Sequence, residues 1–494
     1  MRVDRSTTTT QPPAPHAAPG AARSAAPPAE KLRARAAEVL WANWTGTSTV
    51  PSRALYPHQW SWDSAFIAIG LRHLSPLRAQ LELETLLSAQ WGDGRVPHIV
   101  FNDAVPLDAY FPGPDFWRSA TAGRRAGAPA PVQTSGIVQP PVHALAVWLV
   151  HRADPGLSRA RSFLARLRPR LAAWHRYLLG ARDAGGAGLA AVQHPWEQGM
   201  DNSPCWDGPL SRVEPAAPGD FRRADLDHGV PEHRPTDTDY GRYVRLAAEY
   251  RDRGYVDGAG PGASTDEGPA FSVEDPAFNA LLITSEYALA LIEAELDGPG
   301  GLHGSEGSAA RVRCARARSL TETLVARLWD PDREIFLCRD LRTDALLTER
   351  GVTGLIPLVL PALPPRVAAA LVRTACGPHF GLGGATRLVP SYDLTGPAFD
   401  LRRYWRGPAW FNTNWLVERG LRLHGERARA DALREAVLDA AGASGFAEYV
   451  DPYTGEGCGA RGFGWTAALT LDLLHAGRDG TGGGDLRTER CGHE

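Results

Sequence analysis

An all-α fold of about a dozen helices is what this sequence predicts, on three observations. Apolar residues recur at helical spacing in segment after segment, Leu, Ala, Arg and Glu dominate those segments, and the alternating β-branched runs that mark half-buried strands are nearly absent. Twelve stretches carry the pattern, enough for six helical hairpins, and helices paired around a ring would bring loops from distant parts of the chain to one face.

Residues 1–29 come first and read as a disordered tail, because Pro and small residues bury too little apolar surface to offset chain entropy. Helical patterns then follow over 31–44, 63–74, 77–90, 141–151 and 158–179, and again over 239–250, 276–293 and 308–329. The last four run over 365–374, 409–423, 427–441 and 466–475. Glycine-rich stretches near 254–269 and 296–307 interrupt the series without starting a new compositional regime, so they read as loop insertions and not as domain linkers. Residues 30–477 are therefore expected to form one catalytic domain, and the Gly-rich 478–494 a second disordered tail.

Composition excludes several classes. A net charge of -3 in 494 residues, with Lys and Arg scattered, lacks the basic footprint of a nucleic-acid binder. Six cysteines lie far apart, with no Cys-x-x-Cys and no His cluster at metal-ligand spacing, so no metal, no cofactor and no disulfide scaffold is indicated. No apolar leader is evident, and no later run suggests a bilayer span, so no membrane partner and a cytoplasmic location are the expectations. The sequence leaves the oligomeric state, a homo-oligomer included, open.

Fifteen tryptophans against two methionines is the unusual ratio, and eight of those tryptophans fall in five motifs. The most informative motif, 194–207, packs Glu197, Asp201 and Asp207 among turn-formers and the indoles of Trp196 and Trp206. Flat apolar faces stack on a sugar ring and keep water from a neighbouring carboxyl, which then holds its proton to higher pH, as the general acid of glycoside hydrolysis must. Spacing does not choose among the three acids, and read structurally the stretch is only a surface turn.

The motif 56–64, followed by Gln90 and 94–98, offers Trp62 as a stacking platform and Asp63 as an acceptor for sugar hydroxyls. Its bland reading has Ser61 or Asp63 capping a helix while Trp60 and Trp62 fill the core. In 234–243, Asp237 is a plausible cap, and Arg234 beside a Tyr hydroxyl suits capture of a small carboxylate, although a lone Arg is more often structural. In 402–415, Pro408 just inside a helix start would put Trp410 and Asn414 on one helical face, with Trp415 in the core. In 446–457, closing on 463–468, Glu456 points to water in an Asp-Pro-x-Thr-Gly turn. Glu448, flanked by aromatics, is the candidate general base.

Taken in order, these five segments resemble glycoside hydrolase family 63 and, within it, the bacterial glucosylglycerate and mannosylglycerate hydrolases, over roughly residues 30–477. The resemblance implies an (α/α)6 barrel, a six-hairpin toroid, and hydrolysis of a small α-glucoside or α-mannoside with inversion at the anomeric carbon. It makes Asp201 the general acid and Glu448 the base, with carboxyl groups roughly 6.5 to 9.5 Å apart. It assigns Tyr56, Trp62, Asp63, Trp405 and Trp410 to the sugar, and Gln139, Arg234, Tyr240 and Tyr404 to the glycerate, with Arg234 on the carboxylate. The rival readings are an α-glucosidase of the same family acting on an oligosaccharide, a non-catalytic carbohydrate-binding protein and, from Asp237 and Asp239, a terpene cyclase.

Overall fold

The computed structural model describes residues 29–227, 230–257, 269–298 and 308–479. Most of the two expected tails and of the glycine-rich insertions lies outside the described residues. The chain is predominantly helical. Its longer helices are α1 (Ala29–Ala42), α2 (Ser61–Leu71), α3 (Pro76–Ser88), α4 (His143–Ala153), α5 (Phe163–Gly180), α6 (Asp237–Asp252), α7 (Pro276–Asp297), α8 (Ala309–Leu328), α9 (Pro365–Cys376), α10 (Phe411–Leu423), α11 (Arg427–Ser444) and α12 (Gly464–Asp479). Each overlaps one of the twelve expected stretches. The stretch 158–179 is broken, however, by Ser162 in the left-handed region (φ 52°), which separates a short helix, Pro155–Ala160, from α5.

Local chemistry explains the starts. Ser75, Asp275 and Ser308 each accept the backbone N–H three residues on, and Pro76 and Pro276 occupy first-turn positions where no N–H is needed. α11 ends at Gly445 in the left-handed conformation. The helix after the second tryptophan-rich motif begins at Phe411 and not at Pro408, so Trp410 precedes it in extended conformation and does not share a helical face with Asn414. The two are joined instead by Asn414 Nδ2 donating to the Trp410 carbonyl at 2.9 Å.

Packing order builds the body. α2 packs on α4, α4 on α7, α7 on the 3-10 turn Ile356–Val359, that turn on α10, α10 on α12, and α12 back on α2. Outside this cycle α3, α8 and α11 pack on α2, α7 and α10 respectively, α5 covers α4 and α7, and α1 covers α12 although it comes first in the chain. The twelve patterned stretches thus do not map one to one onto the cycle. α6 stands apart, against short helices near 114–122, and Ile356–Val359 takes the inner position that periodicity could not reveal in four residues.

α7 is the most apolar helix. It has the length and composition of a bilayer span, which the sequence reading did not single out, but it is almost wholly buried between α4, α5 and α8. Among the described residues every strand is two residues long, as in Gln59–Trp60 against Ile99–Val100 and Tyr449–Val450 between Ala409–Trp410 and Gly457–Cys458. They sit before the N-termini of α2, α10 and α12 and fix the loops there. Cys205, Cys338, Cys376 and Cys458 are free thiols and Cys314 is disulfide-bonded, a link the spacing did not suggest.

α2 and α12 approach so closely at Gly70 that a Cβ there would run into the backbone of Ala468, which cannot move as a side-chain tip can. Gly70→Ala is expected to destabilise the protein by about 2 kcal/mol or more, read as a lower denaturant midpoint at unchanged slope. An unchanged midpoint would mean that the two helices are not in this contact.

Candidate functional site

The loops that precede the inner helices enclose one cavity, about 770 Å³ between atoms with its mouth included. Trp62 and Asp63 come from the first turn of α2, Gln139 from the segment before α4, Trp410 from the residue before α10, and Phe463 and Trp465 from the start of α12. Helix N-termini carry unpaired N–H groups and partial positive charge, so this end of the fold favours anionic groups.

The segment 190–207 supplies Asp201. Ala191–Val192 pairs with Val273–Glu274, and Gly199 then turns the chain at φ 80° against the Trp62 indole, where a Cβ would come within 2.6 Å of the ring. Gln198 braces the turn: its Oε1 accepts from the Met200 N–H at 2.9 Å and its Nε2 donates to Asp275 at 3.2 Å. The Tyr243 hydroxyl donates to the Asp201 carbonyl at 2.6 Å. Burial raises the Asp201 carboxyl from its ordinary 3.8 to about 7. Arg234 opposes the rise, whereas Asp225 and Glu448 add to it.

The other two acids of this motif are elsewhere. Glu197 is fully buried, holds Arg182 through two bonds of 2.7 Å, and accepts the Gln193 N–H at 2.7 Å. Asp207 is half exposed and paired with Arg406. Of the three, only Asp201 lines the cavity.

Glu448 faces the cavity from the turn before Tyr449–Val450, whose register sets Tyr449 opposite Trp410. Its Oε1 accepts from the hydroxyls of Tyr56 at 3.0 Å and Tyr404 at 3.3 Å, and its Oε2 accepts from the Ala460 N–H at 3.0 Å. Arg234 lies 3.9 Å from the same carboxylate, donates to the Tyr56 hydroxyl at 3.2 Å and stacks over the Tyr404 ring at 4.8 Å. Burial works against the Arg234 charge, but the groups around it, Tyr56 first and Glu448 next, hold its pKa above the ordinary arginine value. Tyr404 has φ 25°, an uncommon conformation for a residue with a side chain, and it sits where its hydroxyl reaches Glu448.

Ten of the eleven residues singled out from sequence line this cavity: Tyr56, Trp62, Asp63, Gln139, Asp201, Arg234, Tyr240, Tyr404, Trp410 and Glu448. Trp405 does not. It is buried one layer back with its ring stacked flat on Trp410, centroids 3.8 Å apart, so it supports the wall without forming it. Asp63 caps nothing. Trp60 holds the cap position of α2, and the buried Asp63 carboxyl is pushed well above the usual carboxylate range by burial first and Glu448 second. Gln139 Oε1 accepts the Trp62 N–H at 3.2 Å, which orients its amide. The hydroxyls near Arg234 belong to Tyr56 and Tyr404, whereas Tyr240 donates to the Phe111 carbonyl at 3.1 Å.

The cap of α6 is Thr236, not Asp237, and Asp237 is exposed and tied to Arg223. That leaves the acid pair imagined for a cyclase outside the cavity. Trp415 is buried in the core, as expected, with its Nε1 donating to Asp472 at 2.9 Å. Among the described residues no group of three His, Cys, Asp or Glu side chains could hold a metal ion.

The wall also contains Trp196, one of the two indoles expected to stack on the sugar, and Trp60, His98, Tyr110, Asp225, Phe463 and Trp465, which were not singled out as binding residues. Trp60, His98, Trp196, Phe463 and Trp465 stand inside the quoted motifs, so proximity to Trp62, Asp201 and Glu448 was the available signal. Tyr110 and Asp225 lie in irregular segments that carry no pattern.

Residues 56–466 match the family model described as the mannosylglycerate hydrolase MGH1-like glycoside hydrolase domain. A curated mannosylglycerate hydrolase from Rubrobacter radiotolerans is 41% identical over 92% of this chain and 99% of its own length. The glucosylglycerate hydrolase of Mycolicibacterium hassiacum is 39% identical over 90% of this chain and 98% of its own. In three dimensions the chain superimposes on a family 63 mannosylglycerate hydrolase from Thermus thermophilus, solved with Tris and D-glycerate. The TM-score is 0.76 at 38% identity, covering 89% of this chain and 99% of that one.

The three acids of 194–207 should separate in stability experiments. Glu197→Gln removes one partner of a buried ion pair and is expected to cost about 3–5 kcal/mol, against less than about 1 kcal/mol for the half-exposed Asp207→Ala. Equal losses in urea unfolding would overturn the distinction. For Asp201 the linkage runs the other way. Its folded pKa of about 7 exceeds the ordinary 3.8, so the unfolded chain ionises first and stability is lost as pH rises from about 4 to 7. Asp201→Asn should therefore raise the melting temperature above pH 7 and leave it nearly unchanged at pH 4; a gain of equal size at both would mean that the carboxyl is not held protonated.

Proposed function

The chain belongs to the MGH1-like glycoside hydrolase family, and from that premise we propose that it hydrolyses 2-O-α-glucosylglycerate or 2-O-α-mannosylglycerate to the free sugar and glycerate, with inversion at the anomeric carbon. It is a glycoside hydrolase. Its body is an (α/α)6 barrel, a reading supported by the closed packing order of α2, α4, α7, Ile356–Val359, α10 and α12 with helices paired outside them. α1 serves as the outer partner of α12, so the sixth hairpin is closed by the two ends of the domain.

One observation carries the mechanism: a single cavity presents a carboxyl that burial keeps protonated to about pH 7, a carboxylate gripped by two tyrosine hydroxyls and a backbone N–H, and one buried guanidinium. Asp201 gives its proton to the bridging oxygen as the bond to the anomeric carbon breaks. Glu448 takes a proton from water attacking the opposite face of the sugar. The hydroxyls of Tyr56 and Tyr404 and the Ala460 N–H aim its lone pairs, which is work a general base needs done before the water arrives. Trp62 offers a ring face for the sugar, Trp410, stacked between Trp405 and Tyr449, borders it without a free face, and Asp63 accepts from its hydroxyls. Arg234 takes the glycerate carboxylate in the bidentate manner open to a planar guanidinium. A buried cation on the cavity wall supports a small anionic leaving group over a neutral oligosaccharide.

An anomer-resolved NMR time course on glucosylglycerate and mannosylglycerate should show the β-sugar first, and α-sugar first would overturn inversion. Because the acid must be protonated in the free enzyme, kcat/KM should fall above about pH 7. Asp201→Asn should lower kcat by about 10²- to 10⁴-fold and abolish that alkaline limb, and a variant with full activity would remove Asp201 from the mechanism. Arg234→Lys should raise KM for the glycerate glycosides, and an unchanged KM would remove Arg234 from carboxylate binding.

A further inference from the structure

Among the described residues Asp225 is the one carboxylate on the cavity wall to which neither proton transfer nor sugar binding has given a task. It is held in the short turn Ala224–Leu226, and its two oxygens accept from Arg223 Nε at 2.9 Å and Arg223 Nη2 at 2.8 Å. The same guanidinium donates to the Pro235 carbonyl at 3.0 Å and to Asp237 at 2.7 Å, and lies over the Tyr240 ring at 4.4 Å. Arg223 thus fastens the turn to the chain on both sides of the α6 start, next to Arg234. The Arg223 side chain is largely buried, so the fork is a built feature and not a surface encounter.

Charge argues for what Asp225 does. A carboxylate close to Arg234 repels an anionic group, and the fork from Arg223, which Asp237 shares, offsets only part of that charge. Each carboxylate oxygen has two acceptor sites and Arg223 uses one of each, so Asp225 keeps free lone pairs on a carboxylate that still carries charge. Such a group takes a hydroxyl, not a carboxylate. Asp201 is flanked by Arg234 and Asp225, the two charges outside its own backbone that act on it most strongly.

Resting on the hydrolase reading above, we propose that Asp225 is a specificity-determining residue that accepts a hydrogen bond from the primary hydroxyl on C3 of the glycerate. The substituents of glycerate C2 then meet three different groups: Asp201 at the bridging oxygen, Arg234 at the carboxylate and Asp225 at the hydroxymethyl arm. Three distinct contacts to one stereocentre select one configuration of the acid. The aglycones this site takes are 2-hydroxy acids with a further hydroxyl on C3, in preference to those that end in a methyl group, such as lactate.

The test compares kcat/KM for the glucosides or mannosides of D-glycerate, L-glycerate and D-lactate in the wild type, Asp225→Asn and Asp225→Ala, with melting temperatures confirming that each variant folds. The wild type should prefer the D-glycerate glycoside over the lactate glycoside by about 10- to 100-fold, the range for a hydrogen bond to a charged acceptor. Asp225→Ala should bring that ratio and the D/L ratio close to one. Asp225→Asn, which keeps a carbonyl acceptor but frees the Arg223 charge, should keep part of the preference. A ratio that survives in Asp225→Ala overturns the proposal. Should Asp225→Ala fail to fold, an undiminished preference in Asp225→Asn overturns it. A wild type inert on all three glycosides overturns the hydrolase reading itself, a different outcome.

Discussion

The buried pair of Arg182 with Glu197 is the constraint on which the cavity's geometry depends. It joins the chain just after α5 to the segment that carries Asp201, and Glu197 also accepts the N–H of Gln193 and, at 3.4 Å, that of Val138, the residue before Gln139. Asp257 lies against both Arg182 and Arg95, extending the charge chain behind the wall. Two ions taken out of water gain little net stability, because desolvation offsets their attraction. What they supply is uniqueness of position: an ion in this interior has no second place to go, so the segments around Val138, Arg182 and Glu197 are held in one arrangement.

The reaction chemistry follows from how little water reaches that arrangement. Asp201, with its hydrogen bonds made by the backbone and its carboxyl desolvated, holds a proton, whereas Glu448 is given three donors and a guanidinium. Converging helix N-termini add a background of positive potential suited to an anionic substrate. For Asp201 this background is the weaker effect, since the pKa moves in the direction that burial dictates.

Much of this was legible beforehand, for identifiable reasons. Helices over 276–293 or 427–441 announce themselves through periodicity, and Asp201 and Glu448 stand in motifs dense with turn-formers and aromatics. Trp405 was misplaced because a run of aromatics around 404–410 gives no indication of which ring faces the cavity and which stacks behind it; that depends on the positive φ of Tyr404 and on the Trp410 ring plane. Asp237 looked like a cap on composition alone, yet the hydroxyl of Thr236 was one residue nearer the bond to be made. Asp225 and Tyr110 were invisible, because an irregular loop has no period and its residues meet the site only through the fold.

By itself the sequence determined the helical class, most of the helices and the residue types of the site, because periodicity and turn chemistry act over a few residues and need no partner. Tertiary structure alone decided which of Glu197, Asp201 and Asp207 faces the cavity, that Ile356–Val359 and not α6 completes the inner cycle, and that α1 closes on α12. Those are matters of burial and of contacts between residues hundreds of positions apart. The space around each carboxyl, dry at Asp201, filled by Arg182 at Glu197 and open to solvent at Asp207, is written in no stretch of chain.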